Sequence, residues 1–159
     1  MGQEVLEKIF KLLNEKNVQF EHLTHEHVHR SEDAAKIRGN TVSQAAKAII
    51  LKVKPRAQEY KTIQCVLPGD KKIDLKKLKN LLDLKSASLA SPEEVYEKTT
   101  CVIGSVPPFG TLFNLEVYVS KDILNQEIIF FSAGTRNDSI KMKSKDYIMI
   151  INPVLIDFS

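Results

Sequence analysis

The stretch Gln44-Ala45-Ala46-Lys47-Ala48-Ile49-Ile50-Leu51 sets one lysine among small residues, directly ahead of a branched apolar run. Ser43 can open a short helical turn through Gln44-Ala45-Ala46. The β-branched residues that follow read as a strand over 47–53. A polar turn around Arg56–Glu59 then leads into a second strand, "KTIQCVLP" (61–68). Lys47 is the anomaly, because removing an ammonium group from water is costly. Its plain reading is a strand-start lysine whose stem lies on apolar surface while its head reaches solvent.

Upstream, residues 3–16 place Val5, Leu6, Ile9, Phe10, Leu12 and Leu13 on one helical stripe. "VQFEHLTH" (18–25) reads as a strand. Ser31 reads as the N-cap of a helix through "EDAAKIR", stopped at Gly39. Downstream, Asp74 can cap "LKKLKNLL", whose Leu75, Leu78, Leu81 and Leu82 are expected to point one way. Ser91-Pro92-Glu93-Glu94 supplies a cap, a first-turn proline and an acid at the third position, a strong helix start. "CVIG" (101–104) and "TLFNLEVYVS" (111–120) are expected to be strands around "SVPPFG". "SKDILN" reads as a short helix, "EIIFFSAG" as a buried strand and "DSIKMK" as another. "KSKDYIMII" fits a helix or a strand, and "INPVLIDFS" looks like a packed last element. The sum is a mixed α/β (α+β) domain with short, β-rich connections rather than alternating βαβ units.

At 159 residues, 43% hydrophobic and 27% charged, the chain reads as one domain, 1–159, with a real core. No apolar run approaches the roughly 18–20 residues of a membrane-spanning helix. The amphipathic, early-acidic N-terminus is neither a signal nor a transit peptide. Gly2 lacks the downstream Ser or Thr of a myristoylation motif. A cytoplasmic protein with no membrane partner is expected. Cys65 and Cys101 lie far apart beside apolar residues and read as buried, reduced thiols. Net charge is only +3, but 71–85 holds six lysines against two aspartates, and "KMKSK" (141–145) adds three. Such clusters are either a solvated face or a phosphate-facing surface that contacts backbone rather than bases.

No nucleophile–base set, phosphate-cradling loop or paired-carboxylate motif is visible. His25, His27 and His29 alternate and could share a strand face. Without a matching further ligand they read as imidazoles at a strand edge, so no metal and no other cofactor is expected. "GSVPPFG" (104–110) makes a rigid turn that can turn N–H groups outward. "SAGTRNDS" (132–139) follows a core strand, a common place for ligand contacts.

In order, "HEHVHRSEDAAK", "QAAKAIILK", "LPGDKKIDLKKLKNLL", "CVIGSVPPFG" and "FFSAGTRNDSIKMKSKDY" resemble the YbaK/prolyl-tRNA synthetase-associated domain family, over about residues 20–147. The resemblance implies a mixed, curled sheet or partial barrel surrounded by helices. It also implies an aminoacyl-tRNA deacylase that removes wrongly attached amino acids in trans. Lys47 falls on the family's pocket lysine, and Gly104 and Pro108 on the ends of its GxxxP loop, the implied catalytic set. Ser105, Val106 and Pro107 complete that loop. His27, Ser31, Ile50, Ser132 and Gly134 are the implied remainder of the substrate pocket. Lys71, Lys72, Lys76 and Lys141 would meet tRNA phosphates. The aminoacyl ester is already activated, so charge stabilisation and orientation by a lysine and backbone N–H groups would suffice without a triad.

Thr135-Arg136-Asn137 stand where some family members carry a histidine, which leaves the amino acid open among Ala, Cys, Ser and Thr. The leading expectation is Ala or Cys on tRNA for proline, with the acceptor end of aminoacyl-tRNA as partner and prolyl-tRNA synthetase or a synthetase complex as a further one. The rival readings are a non-catalytic tRNA-binding module of such a complex and a metal-binding protein built on the histidines.

Overall fold

The computed structural model describes residues 2–26 and 31–159. In chain order the elements are helix α1 (Gly2–Glu15), strand β1 (Phe20–Thr24), α2 (Ser31–Arg38), β2 (Ala46–Pro55) and β3 (Lys61–Pro68). Then come α3 (Leu75–Leu82), β4 (Leu84–Leu89), α4 (Pro92–Thr99) and β5 (Glu116–Ser120). The chain closes with β6 (Ile128–Ser132), β7 (Asp138–Lys143), α5 (Ser144–Ile151) and β8 (Val154–Ile156). Three short 3₁₀ turns, Val42–Gln44, Gly110–Phe113 and Lys121–Asn125, link them.

The strands form two sheets rather than one curled sheet. β1, β7 and β6 make an antiparallel trio in the order β1-β7-β6. The other five run β4-β2-β3-β5-β8, antiparallel from β4 to β3 and parallel from β3 to β8. Among the described residues one isolated parallel bridge, between Ala45 and Phe130, ties the sheets together at the start of β2. The arrangement is open, a mixed α/β fold without a closed barrel. No helix among the described residues is long and apolar enough to cross a membrane.

Two apolar clusters hold the sheets. In the larger, Val5, Leu6, Ile9 and Leu13 of α1 join Ile129, Phe131, Ile140, Met142, Val66 and Tyr147. In the smaller, Leu51, Val53, Ile63, Cys65 and Leu67 are covered by Leu78 of α3 and by Phe158 of the tail. β3 therefore buries both faces, which is why its sequence runs apolar without alternation. Cys65 and Cys101 are free and buried, and burial pushes the Cys65 thiol up to about 12.

Several local expectations are met in detail. Asp74 accepts a hydrogen bond from the Lys77 N–H, and Ser91 and Glu94 form a reciprocal capping box. Others are corrected. Leu81 is exposed, because about 100° per residue carries it off the stripe shared by Leu75, Leu78 and Leu82. Thr41, not Ser43, caps the turn before β2, with its N–H bonded to Gln44 Oε1. Residues 101–104 turn instead of forming a strand, since Thr100 and Gly104 both take positive φ and fold the chain back. Residues 110–113 wind into a 3₁₀ turn, so β5 begins only at Glu116. β4, "LKSASL", has no periodic signal of its own and exists by pairing along the edge of β2. Residues 144–151 are helical.

The loop that follows residue 104 is fastened from behind. Gln64, fully buried in β3, donates through Nε2 to the Pro107 carbonyl at 3.0 Å, and its Oε1 accepts from the Gly110 N–H at 2.8 Å. The Tyr147 hydroxyl donates to the Pro108 carbonyl at 2.5 Å. The Phe109 ring packs on Phe131 and Tyr147, with centroids 5.4 and 5.5 Å away. Gln64→Leu strands a buried carbonyl and a buried N–H, and is expected to cost about 3 kcal/mol. Tyr147→Phe is expected to cost about 1 kcal/mol; urea unfolding of the two variants beside the wild type checks both the size and the order.

Candidate functional site

A cleft of about 180 Å³ opens at the seam between the two sheets. One wall is the start of β2, where Ala45, Ala46 and Ala48 keep the surface low and Lys47 stands at the edge. Facing it are Ile103, Gly104 and Val106 of the fastened loop. The back is Phe130, Phe131 and Ser132 of β6. Ala34 and Arg38 of α2, with His25 and Ser139, close the remaining side. A larger hollow, about 630 Å³, lies along β1 and β7, but two of its charged groups, Glu21 and Lys141, answer each other as an ion pair. The smaller cleft is the better site because fixed polar groups meet in it.

The Lys47 ammonium donates to the carbonyls of Gly69, at 3.5 Å, and Lys71. It is thus held where the turn after β3 begins the basic segment, in which Lys71, Lys72 and Lys76 are exposed. Lys141 is on the other flank in β7. Its Nζ lies 5.7 Å from the centre of the Phe130 ring and 3.8 Å from a carboxylate oxygen of Glu21.

Of the implied pocket residues, the cleft brings together Lys47, Gly104, Val106 and Ser132, whose hydroxyl donates to the Gly104 carbonyl at 2.9 Å. The others stand elsewhere. Ser105 is fully buried, its hydroxyl donating to the Val102 carbonyl at 2.8 Å. Pro107 and Pro108 are buried behind the wall, their carbonyls taken by Gln64 and Tyr147. Ile50 faces the core, since strand alternation sets it opposite Lys47 and Ile49. Gly134 is buried against the N-terminus of α1, and its N–H donates to the Ser105 carbonyl at 2.9 Å. Ser31 is the first residue of α2. His27 lies outside the described residues, as does His29. Among the described residues no three His, Cys, Asp or Glu side chains gather as a metal site would require.

Sequence reasoning passed over a connected polar group on the α2 side. His25 Nδ1 lies 2.8 Å from the Glu26 carbonyl, and Nε2 lies 2.8 Å from Ser139 Oγ. A carbonyl only accepts, so Nδ1 carries the proton of the neutral ring and Nε2 accepts from the Ser139 hydroxyl. Ser139 Oγ in turn accepts from Arg38 Nη1 at 3.4 Å. Arg38 also donates through Nε to Asn40 Oδ1 at 3.0 Å and lies 5.9 Å from the Phe130 ring centre. Burial lowers its pKa to about 10, which leaves it charged at neutral pH. One signal was available: Arg38 follows Ala34 by four residues, hence on the same helix face. His25 and Ser139 come together only through the pairing of β1 with β7. Three cations, Lys47, Arg38 and Arg136, with two serine hydroxyls and a small-residue wall, equip the cleft to hold a small acyl group and offset charge that develops on its oxygen.

Residues 25–150 match the family model described as "Aminoacyl-tRNA editing domain". The chain is 34% identical over 158 residues to the Multifunctional Ser/Thr-tRNA deacylase ProXp-y of Escherichia coli, covering 99% of this chain and 94% of that one. It is 23% identical over 155 residues to the Prolyl-tRNA editing protein ProX of Acetoanaerobium sticklandii, covering 95% and 93%. A crystal structure of a candidate trans-editing enzyme for prolyl tRNA synthetase superposes with a TM-score of 0.80 at 22% identity, over 98% of this chain and 96% of that one, a likeness of fold.

Gly104 and Gly134 both take positive φ, +91° and +102°, but with different surroundings. A Cβ on Gly104 would meet nothing within 4 Å, whereas one on Gly134 would lie 2.6 Å from the Gly2 carbonyl oxygen. Gly104→Ala is expected to cost about 1–2 kcal/mol from backbone strain alone. Gly134→Ala adds a backbone clash and is expected to cost more; equal urea midpoints for the two variants would contradict this reading of the loops.

Proposed function

The chain belongs to the aminoacyl-tRNA editing domain family, and we propose that it hydrolyses the ester joining a small, wrongly attached amino acid to tRNA. The observation that carries this reading is Lys47, held at the cleft edge by the carbonyls of the turn that begins the basic segment. Lys47 would grip the terminal ribose and its phosphate, while Lys71, Lys72, Lys76 and Lys141 would meet phosphates further along the acceptor stem. The aminoacyl group would enter between Ala46, Ala48 and Gly104. Water adds to the carbonyl carbon, the bond to the ribose oxygen breaks, and that oxygen takes up a proton. Free amino acid and uncharged tRNA are released, in the compartment where tRNA is charged, the cytoplasm.

A cleft of about 180 Å³ would exclude larger side chains by clash. The polar wall of His25, Ser139 and Arg38 offers hydrogen bonds that a hydroxyl can use and a methyl group cannot. We therefore place seryl and threonyl esters ahead of alanyl and cysteinyl ones, in line with the name of the relative that is 34% identical. Alanine or cysteine on tRNA for proline is the second reading, favoured by the alanine-rich wall.

The test is deacylation of tRNA charged in turn with serine, threonine, alanine, cysteine and proline, by wild type and Lys47→Ala. The expected result is loss of one or more non-cognate esters, with serine or threonine first, and a drop in kcat/KM of about 10²-fold in Lys47→Ala. Five phosphate contacts over a fourfold rise in salt, from about 50 to 200 mM, predict a fall of about 500-fold for the wild type. Survival of every ester while tRNA still binds would identify a non-catalytic tRNA-binding module instead.

A further inference from the structure

Arg38 is a half-buried cation that no carboxylate reaches among the described residues; its contacts are Asn40, Ser139 and the Phe130 ring. A charge withdrawn from water without a counter-charge is costly. The fold nevertheless holds this one in place from three sides. Guanidinium has five N–H donors, so these contacts leave several unused, and Arg38 lines the cleft. The missing partner is therefore an oxygen that comes with the ligand.

The dimensions of the cleft say which oxygen. About 180 Å³ accommodates a small aminoacyl group but not a nucleotide, so the phosphates stay at the edge with Lys47 and the basic turn. Inside, the α-ammonium of the amino acid is repelled by a guanidinium, and a side-chain hydroxyl, which the polar wall can also bond, is neutral and leaves the cation without a counter-charge. The ester carbonyl oxygen is what remains, and it turns negative as water adds. Resting on the deacylase reading above, we propose that Arg38 is a catalytic residue whose guanidinium binds the ester carbonyl oxygen and stabilises its developing charge. In the hydrolytic step a water oxygen bonds to the carbonyl carbon, the carbon–ribose oxygen bond breaks, and the ribose oxygen gains a proton that originates in the water. Arg38 keeps all its protons throughout. Ser139 and His25 are positioning residues. The Ser139 hydroxyl gives its proton to His25 Nε2, so its oxygen is turned to accept from Arg38 and hold the guanidinium in the cleft.

Lys47 and Arg38 differ in the kinetic parameter each controls. Lys47 acts on ground-state binding as well as chemistry, whereas Arg38 acts on charge that exists only in the transition state. The experiment measures steady-state deacylation by wild type, Arg38→Ala, Arg38→Lys and Lys47→Ala on the ester the wild type cleaves, with and without millimolar guanidinium ion. For Arg38→Ala the expected result is a kcat lowered about 10²-fold with KM within about threefold of wild type. Added guanidinium should restore part of that kcat in Arg38→Ala and none in Lys47→Ala. Arg38→Lys, which keeps the charge on a single ammonium nitrogen without the planar fork, should lie between wild type and Arg38→Ala. A wild-type kcat in Arg38→Ala, a loss confined to KM, or a loss that guanidinium fails to restore would overturn the role of Arg38 while leaving the deacylase standing. Wild-type protein inactive on every ester would overturn the deacylase reading, and this one with it.

Discussion

The bridge between Ala45 and Phe130 is the constraint on which the site depends. Among the described residues it is the point where the two sheets are bonded, and close approach is possible because the chain presents Ala45, Ala46 and Ala48 there rather than larger side chains. The Gly69 N–H donates to the Ala45 carbonyl at 2.9 Å, so the turn after β3 is drawn to the same place. Once the seam is fixed, Lys47 emerges two residues beyond it, beside the carbonyls of that turn. Arg38 and Lys141 approach the ring of the bridging Phe130. The anomaly of a lysine among alanines is thereby resolved: the alanines make room for the cleft, and the lysine marks its edge.

The cleft is rigid because its walls are held from behind by groups that do no chemistry. Gln64 and Tyr147 occupy the carbonyls of Pro107 and Pro108, and Phe109 is locked between two rings. This gives the paired prolines a scaffold role in the structure: they present Gly104 and Val106 while standing behind the wall themselves. Preorganised walls matter for a reaction that depends on placing charge and water rather than on a covalent nucleophile.

What the sequence revealed depended on how local the information was. β3, α3, α4 and β7 were legible because capping residues and apolar runs lie within a few positions of one another. Lys47 was singled out through the register of five motifs, which no periodicity argument would have supplied, and the structure places it at the cleft edge. The polar group of His25, Ser139 and Arg38 was not, because its members are brought together by the pairing of β1 with β7 and the docking of α2. β4 was missed for a related reason: "LKSASL" is a strand only because β2 offers it an edge. The turn at 101–104 misled in the opposite direction, since Val102 and Ile103 look like strand residues while the backbone at Thr100 and Gly104 forces the chain to reverse.

The central claim is that the aminoacyl end of tRNA occupies the cleft at the seam of the sheets, and it can be examined apart from turnover. The direct measurement is an NMR titration of the protein with a hydrolysis-resistant mimic, adenosine bearing serine through a 3′-amide. The account predicts saturable shifts at the amides of Ala45–Ile49, Gly104–Val106 and Ser139. Shifts confined to the hollow along β1 and β7, or none at any concentration, would contradict it.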